Sequence, residues 1–139
     1  MALVDVRPAL VKLLTSNSGV TDIVGTRIYP SVLAQGVTLD SVVYTRITEL
    51  DSLTMQNSVG LVSARFQFDC WSKSADRANT LANLVKETFA GFAGRVDLPP
   101  NYVDIQLIEL VNGRDDYDPA VLLHRMSRDY FVWYEERNA

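Results

Sequence analysis

In the run His124-Arg125-Met126-Ser127-Arg128-Asp129-Tyr130-Phe131-Val132-Trp133-Tyr134 the side chains alternate with a period of two residues. Met126, Arg128, Tyr130, Val132 and Tyr134 share one side, and Arg125, Ser127, Asp129, Phe131 and Trp133 share the other. That is the signature of a β-strand. Aromatic and β-branched residues fill its second half, which suits a surface packed on both faces, so the strand belongs inside a sheet and not at its edge.

Upstream, two more runs behave in the same way. In Leu61 to Trp71, Ala64, Phe66, Phe68 and Cys70 line one face, and Ser63, Arg65, Gln67, Asp69 and Trp71 the other. Ser41 to Thr48 alternates Val42, Tyr44 and Arg46 against Val43, Thr45 and Ile47. After Pro99 and Pro100, Val103, Ile105, Leu107 and Val111 alternate with Asp104, Gln106, Ile108 and Leu110. Two segments carry helical spacing instead. Leu10, Leu13 and Leu14 follow Asp5 and an early Pro8, predicting a helix from about Val6 to Ser16. Ala78, Leu81, Ala82, Val85 and Phe89 form the stripe of a second helix capped by Ser74 and stopped by Gly91 and Gly94.

The connections are read from their punctuation. Asn17, Ser18 and Gly19 close the first helix, Val20 to Val24 forms one turn before Gly25, and Arg27 to Tyr29 extends into Pro30. Residues 31–40 read as an irregular crossing. Glu49 to Gly60 is polar and long for a hairpin turn, so it reads as a mobile loop in which Leu53 and Met55 are apolar residues held for a partner. Gly113 to Pro119 reads as an acidic turn. The expected order is helix-strand-strand-helix-strand-strand. It implies an α+β fold in a single domain spanning residues 1–139, with a four to five stranded, mostly antiparallel sheet and two main helices on one face.

That arrangement leaves Trp71, Ile108, Leu110, Phe131 and Trp133 on the nominally outer side of their strands, where a sheet covered on one face should be polar. Either the first helix packs there, or a bulge has reversed the phase of a strand, or another subunit covers the patch. Together with Leu53 and Met55, these five are the candidate interface residues.

Composition narrows the function classes. With 139 residues, 47% hydrophobic and 22% charged, the chain is long enough for a core without disulfides or metals and too apolar for disorder. Nothing approaches a membrane span, and no signal-peptide pattern opens the sequence. One cysteine, Cys70, excludes an internal disulfide and suits a reducing cytoplasm. A net charge of −4 gives no general pull toward nucleic acid.

Motifs for chemistry are sparse. Cys70 and the lone His124 are a nucleophile and base only if the fold brings them together, and Cys70 sits among Phe66 and Phe68 like an inert core thiol. Asp115, Asp116 and Asp118 gather three carboxylates but lack the glycine and glutamate spacing of a calcium loop, so a solvated turn is the better reading. Arg114, Arg125 and Arg128 are diluted by acids. The expectation is no catalytic residue, no metal and no cofactor.

One resemblance adds to this. Asp116-Tyr117-Asp118-Pro119, Leu122-Leu123-His124-Arg125 and Asp129-Tyr130-Phe131-Val132-Trp133-Tyr134 resemble the end of the tail-completion, or tail-terminator, proteins of long-tailed bacteriophages. Val24-Gly25-Thr26-Arg27-Ile28-Tyr29-Pro30, Val42-Val43-Tyr44 and Phe66-Gln67-Phe68-Asp69-Cys70-Trp71 resemble earlier stretches of the same family, although Asp40 and Ser41 stand where that family often has a proline. The resemblance implies a structural virion protein with no active site, assembled in the bacterial cytoplasm into a hexameric ring at the head-proximal end of the tail. Its implied partners are other copies of itself, the tail tube protein and a head-completion or connector protein, while genomic DNA passes through the ring without specific binding. The alternatives are another phage neck protein, or a small-molecule-binding α+β domain, which would need converging polar groups in a cleft.

Overall fold

The computed structural model describes residues 3–33, 39–53 and 58–136, and for 51–53 and 58–60 the backbone alone. Met55 lies outside the described residues, as does the side chain of Leu53. Three helices, α1 (Arg7–Thr15), α2 (Ser18–Val24) and α3 (Ala75–Phe89), pack on a sheet of six strands. The strands are β1 (Ile28–Pro30), β2 (Ser41–Leu53), β3 (Ser58–Ser72), β4 (Gly94–Leu98), β5 (Asn101–Asp118) and β6 (Leu123–Glu135), in the spatial order β1-β2-β3-β6-β5-β4.

The C-terminal strand β6 lies between β3 and β5, pairing antiparallel with both along nearly its whole length. Its alternation becomes burial: Met126, Tyr130, Val132 and Tyr134 face the helices beside Val62, Ala64, Phe66, Phe68 and Cys70 of β3. The stripe Ala78, Leu81, Ala82, Val85 and Phe89 of α3 closes over them, with the Phe89 ring 4.8 Å from Phe68 and 5.4 Å from Tyr130. Each fully buried side chain of this size contributes about 2–3 kcal/mol relative to exposure. Ala9, Leu10 and Leu14 of α1 and Val20 and Val24 of α2 complete this layer. The Ser74 hydroxyl accepts from the Arg77 amide and caps α3, and the carboxylate of Asp5 accepts from the Arg7 amide at the start of α1.

The architecture is α+β, with more elements than the expected two helices and four to five strands. The polar triplet at 17–19 does not merely end a helix: Asn17 Oδ1 accepts from the Gly19 amide and starts α2, which stops at Gly25 with φ +58°. Ile28–Pro30 pairs parallel with β2, which makes the sheet mixed. Gly94–Leu98 follows the glycines as β4, turned back onto β5 through a cis Pro99–Pro100 bond. The segment Glu49 to Gly60 is mostly not a loop, because β2 runs to Leu53 and β3 starts at Ser58. Gly113 to Pro119 is likewise strand as far as Asp118, and the turn falls at 119–122. Both errors have one cause. Polar residues read as loop when a strand is exposed on both faces, since its hydrogen bonds come from the neighbouring strand and leave no mark in its own sequence.

Candidate functional site

Helices cover only one face of the sheet, and the other face divides into three zones. At one end, Tyr29, Leu33, Val43, Trp71 and Leu123 form a small second core. Trp71 is therefore covered by its own chain, at 7% exposure, with the Arg125 guanidinium 5.4 Å from its ring centre. In the middle lies a polar belt. Ser127 Oγ donates to Asp69 at 2.5 Å, Gln67 donates to the same carboxylate oxygen at 2.9 Å, and Arg65 donates to Asp129 at 2.7 Å.

The far end of this face is apolar and open. Phe131 and Trp133 lie half-buried with ring centres 5.5 Å apart, and Leu107 stands opposite Trp133 across the ladder. Leu50, on the same face and level with Trp133 through Ser63, is 66% exposed, and Leu107 is 40% exposed. Leu61, Leu107 and Trp133 floor a shallow groove of about 620 Å³ whose rim is Gln106, Glu109 and Glu135. Such a patch has two acids at its rim and the Trp133 ring at its floor.

Two of the candidates placed on this face belong to the other one. Ile108 is fully buried in the core, and Leu110 packs against that core. A bulge at Gln106, between the pairs Ile105 with Tyr134 and Leu107 with Trp133, reverses the phase of β5. Leu107 consequently takes the outer position that simple alternation assigned to Ile108. Leu107 was missed for this reason, and Leu50 because Glu49 to Gly60 read as a loop. Leu61 had a signal, since it keeps the parity of Ser63 and Arg65.

The residues considered for chemistry are occupied otherwise. Cys70 is fully buried, and burial first, then the neighbouring Asp69 carboxylate, pushes its thiol up to about 12. No hydrogen bond joins it to His124 among the described residues; His124 packs instead on the Tyr117 ring at 4.8 Å. Asp115 pairs with Arg128 at 2.8 Å and Asp116 bridges Arg114 and Arg125, both at 3.0 Å. The Arg125 hydrogen bond, followed by the charges of Arg114 and Arg125, holds the Asp116 carboxyl below the usual range. Asp118 accepts from the Ala120 amide and shapes the turn. Among the described residues no group of three His, Cys, Asp or Glu side chains is placed to hold a metal, and no helix is long and apolar enough to cross a membrane.

An open apolar end of a sheet is the kind of surface by which a subunit joins an assembly. The chain belongs to the family of the tail completion protein gp17, whose model matches residues 8–135. It is a bacteriophage tail completion protein, a structural component of the virion. Its fold is also that of a chain in the virion of a native gene transfer agent particle, with a TM-score of 0.69 at 13% identity, covering 91% of both chains. No curated protein matches the sequence.

Proposed function

We infer that the protein forms a closed hexameric ring at the head-proximal end of the tail, where it ends growth of the tail tube and presents the surface to which the head joins. Membership of the tail completion family supports this reading, and the observation that carries it is the open apolar end of the sheet. Phe131 and Trp133, with Leu50, Leu61 and Leu107 around them, bury against a neighbouring subunit in the ring. Rings around a DNA passage also suit a net charge of −4, because a lumen that gripped phosphates would hinder ejection. Its partners are further copies of itself, the tail tube protein and a head-completion or connector protein.

The test is electron microscopy of the purified protein together with its mass in solution. A sixfold ring is expected. A monomer that stays monomeric in the presence of tail tubes overturns the reading, and a ring of another symmetry that binds heads and not tubes favours a different neck component.

A further inference from the structure

The short strands β1 and β4 do not cover the whole of the sheet's two sides. On one side, β1 pairs only with Val42, Val43 and Tyr44, so among the described residues β2 has no backbone partner on that side from Thr45 onward. On the other, β4 reaches no further along β5 than Ile105, and residues 91–92 bond β5 at Ile108. From Glu109 to Asp118 the outer side of β5 has no backbone partner among the described residues. Unpaired edges of this length are templates for another strand.

The orientation of their hydrogen-bonding groups is fixed by the bonds already made. Val42 donates to Arg27 O and Tyr44 accepts from the Ser31 amide, so these two residues point away from β3, and Arg46, next in the same alternation, does too. Ile108 donates to Phe92 O and accepts from the Gly91 amide, pointing away from β6. Its partner on β6 is Val132; Met126 has the same parity on that strand, so its partner Asp115 also points outward. Successive antiparallel pairings make β2 and β5 run in opposite directions.

We propose that the free edge of β5 in one copy pairs antiparallel with the free edge of β2 in a second copy, with Asp115 opposite Arg46. The occupant is singled out by direction, parity and charge together. Arg46 and Asp115 both point their backbone groups outward, both carry side chains on the helix-covered face, and their charges are opposite. In this register Thr48 stands opposite Arg114 as a non-hydrogen-bonded pair on the other face, with the bulge at Ile47 taken up as it is against β3. Within one copy Arg46 is level with Leu110, through Phe66 and Tyr130. Asp115 lies five residues further on, one of them in the bulge at Val111, so adjacent copies are offset by about four residues for every four strands. With about 3.3 Å per residue and 4.8 Å per strand, that offset inclines the strands by about 35° to the row of copies. The offset is even, so each face of the sheet continues as the same face of the next copy. This inference rests on the ring reading and assigns one of its contacts.

The test is a pair of cysteines, Thr48→Cys and Arg114→Cys, on a Cys70→Ala background. Both positions are exposed, so the fold tolerates them, and a non-hydrogen-bonded antiparallel pair suits a disulfide. Mild oxidation of the double variant should give a ladder of covalent multimers, and either single variant should give none. Dimers from a single variant would mean that like edges meet, which overturns the proposal. The control Thr48→Cys with Asn112→Cys, two residues out of register, should cross-link far less, and equal or better cross-linking overturns the register. Rings by electron microscopy without a ladder would leave the ring reading standing and remove the edge pairing. Monomers throughout would remove both. An unaltered ring that still captures extended peptides at β5 would assign the edge to another protein and not to a second copy.

Discussion

At the scale of single residues, the instructive side chains are buried polar ones. The hydroxyl of Tyr130 lies in the core with no hydrogen-bond partner among the described residues, and burial raises its pKa well above the ordinary tyrosine range. An unsatisfied buried hydroxyl costs about 1–3 kcal/mol, so Tyr130→Phe should leave stability unchanged or raise it by about 1 kcal/mol in urea denaturation. Cys70 behaves as a hydrophobic side chain. Cys70→Ala should cost about 1–2 kcal/mol and leave assembly into infectious particles nearly intact. Because folding raises the thiol pKa from 9.0 to about 12, the native state binds this proton more tightly than the unfolded chain. Its contribution is full below pH 9 and is lost progressively between pH 9 and pH 12. Iodoacetamide should therefore label Cys70 at the rate of global unfolding, and fast labelling of the folded protein would contradict the burial.

At the scale of elements, β5 carries the most information. Its bulge at Gln106 sends Ile108 to the core and Leu107 to solvent. Deleting Gln106 should remove the extra residue and keep Ile108 inward under simple alternation, so a thermal melt should show only a small loss, whereas Ile108→Asp should destabilise the fold by several kcal/mol. The hairpin of β2 and β3 predicts an exchange pattern. Thr48 and Leu50 face β3 and their amides should be slow in the isolated subunit, while Arg46 and Glu49 face outward and should be fast. Assembly should slow the second pair. Strands β3 and β6 and helix α3 were readable in advance because each has one fully buried apolar face that recurs at the period of its element. The far halves of β2 and β5 were not, since exposure on both faces removes the periodic signal.

At the scale of the whole molecule, two kinds of surface remain open: the apolar end of the outer face and the free edges of β2 and β5. Trp133→Glu places a charge in the patch without entering the core, since Trp133 points away from the helices. The variant should keep its circular dichroism spectrum, scatter light as a monomer, and give overlong tubes or tails without heads. A folded variant that stays assembled would move the contact elsewhere, and an unfolded one would place Trp133 in the subunit's own core. Trp71→Glu, by contrast, should unfold the protein, because Tyr29, Leu33, Val43 and Leu123 enclose that ring.

Local patterning was enough for the class of the fold, the placing of β6 inside the sheet, and the inner faces of β3, β6 and α3. Those properties follow from periodicity and from runs of residues adjacent in the chain, which short-range sterics and burial translate directly into structure. Only the folded molecule revealed that Ile108 and Leu110 are core, that Trp71 is enclosed by Tyr29, Leu33, Val43 and Leu123, and that β1 and β4 stop short of the sheet's full length. Each depends on how residues distant in sequence line up: a bulge is defined against the partner strand, cover comes from a remote segment, and an edge exists only where no neighbour arrives.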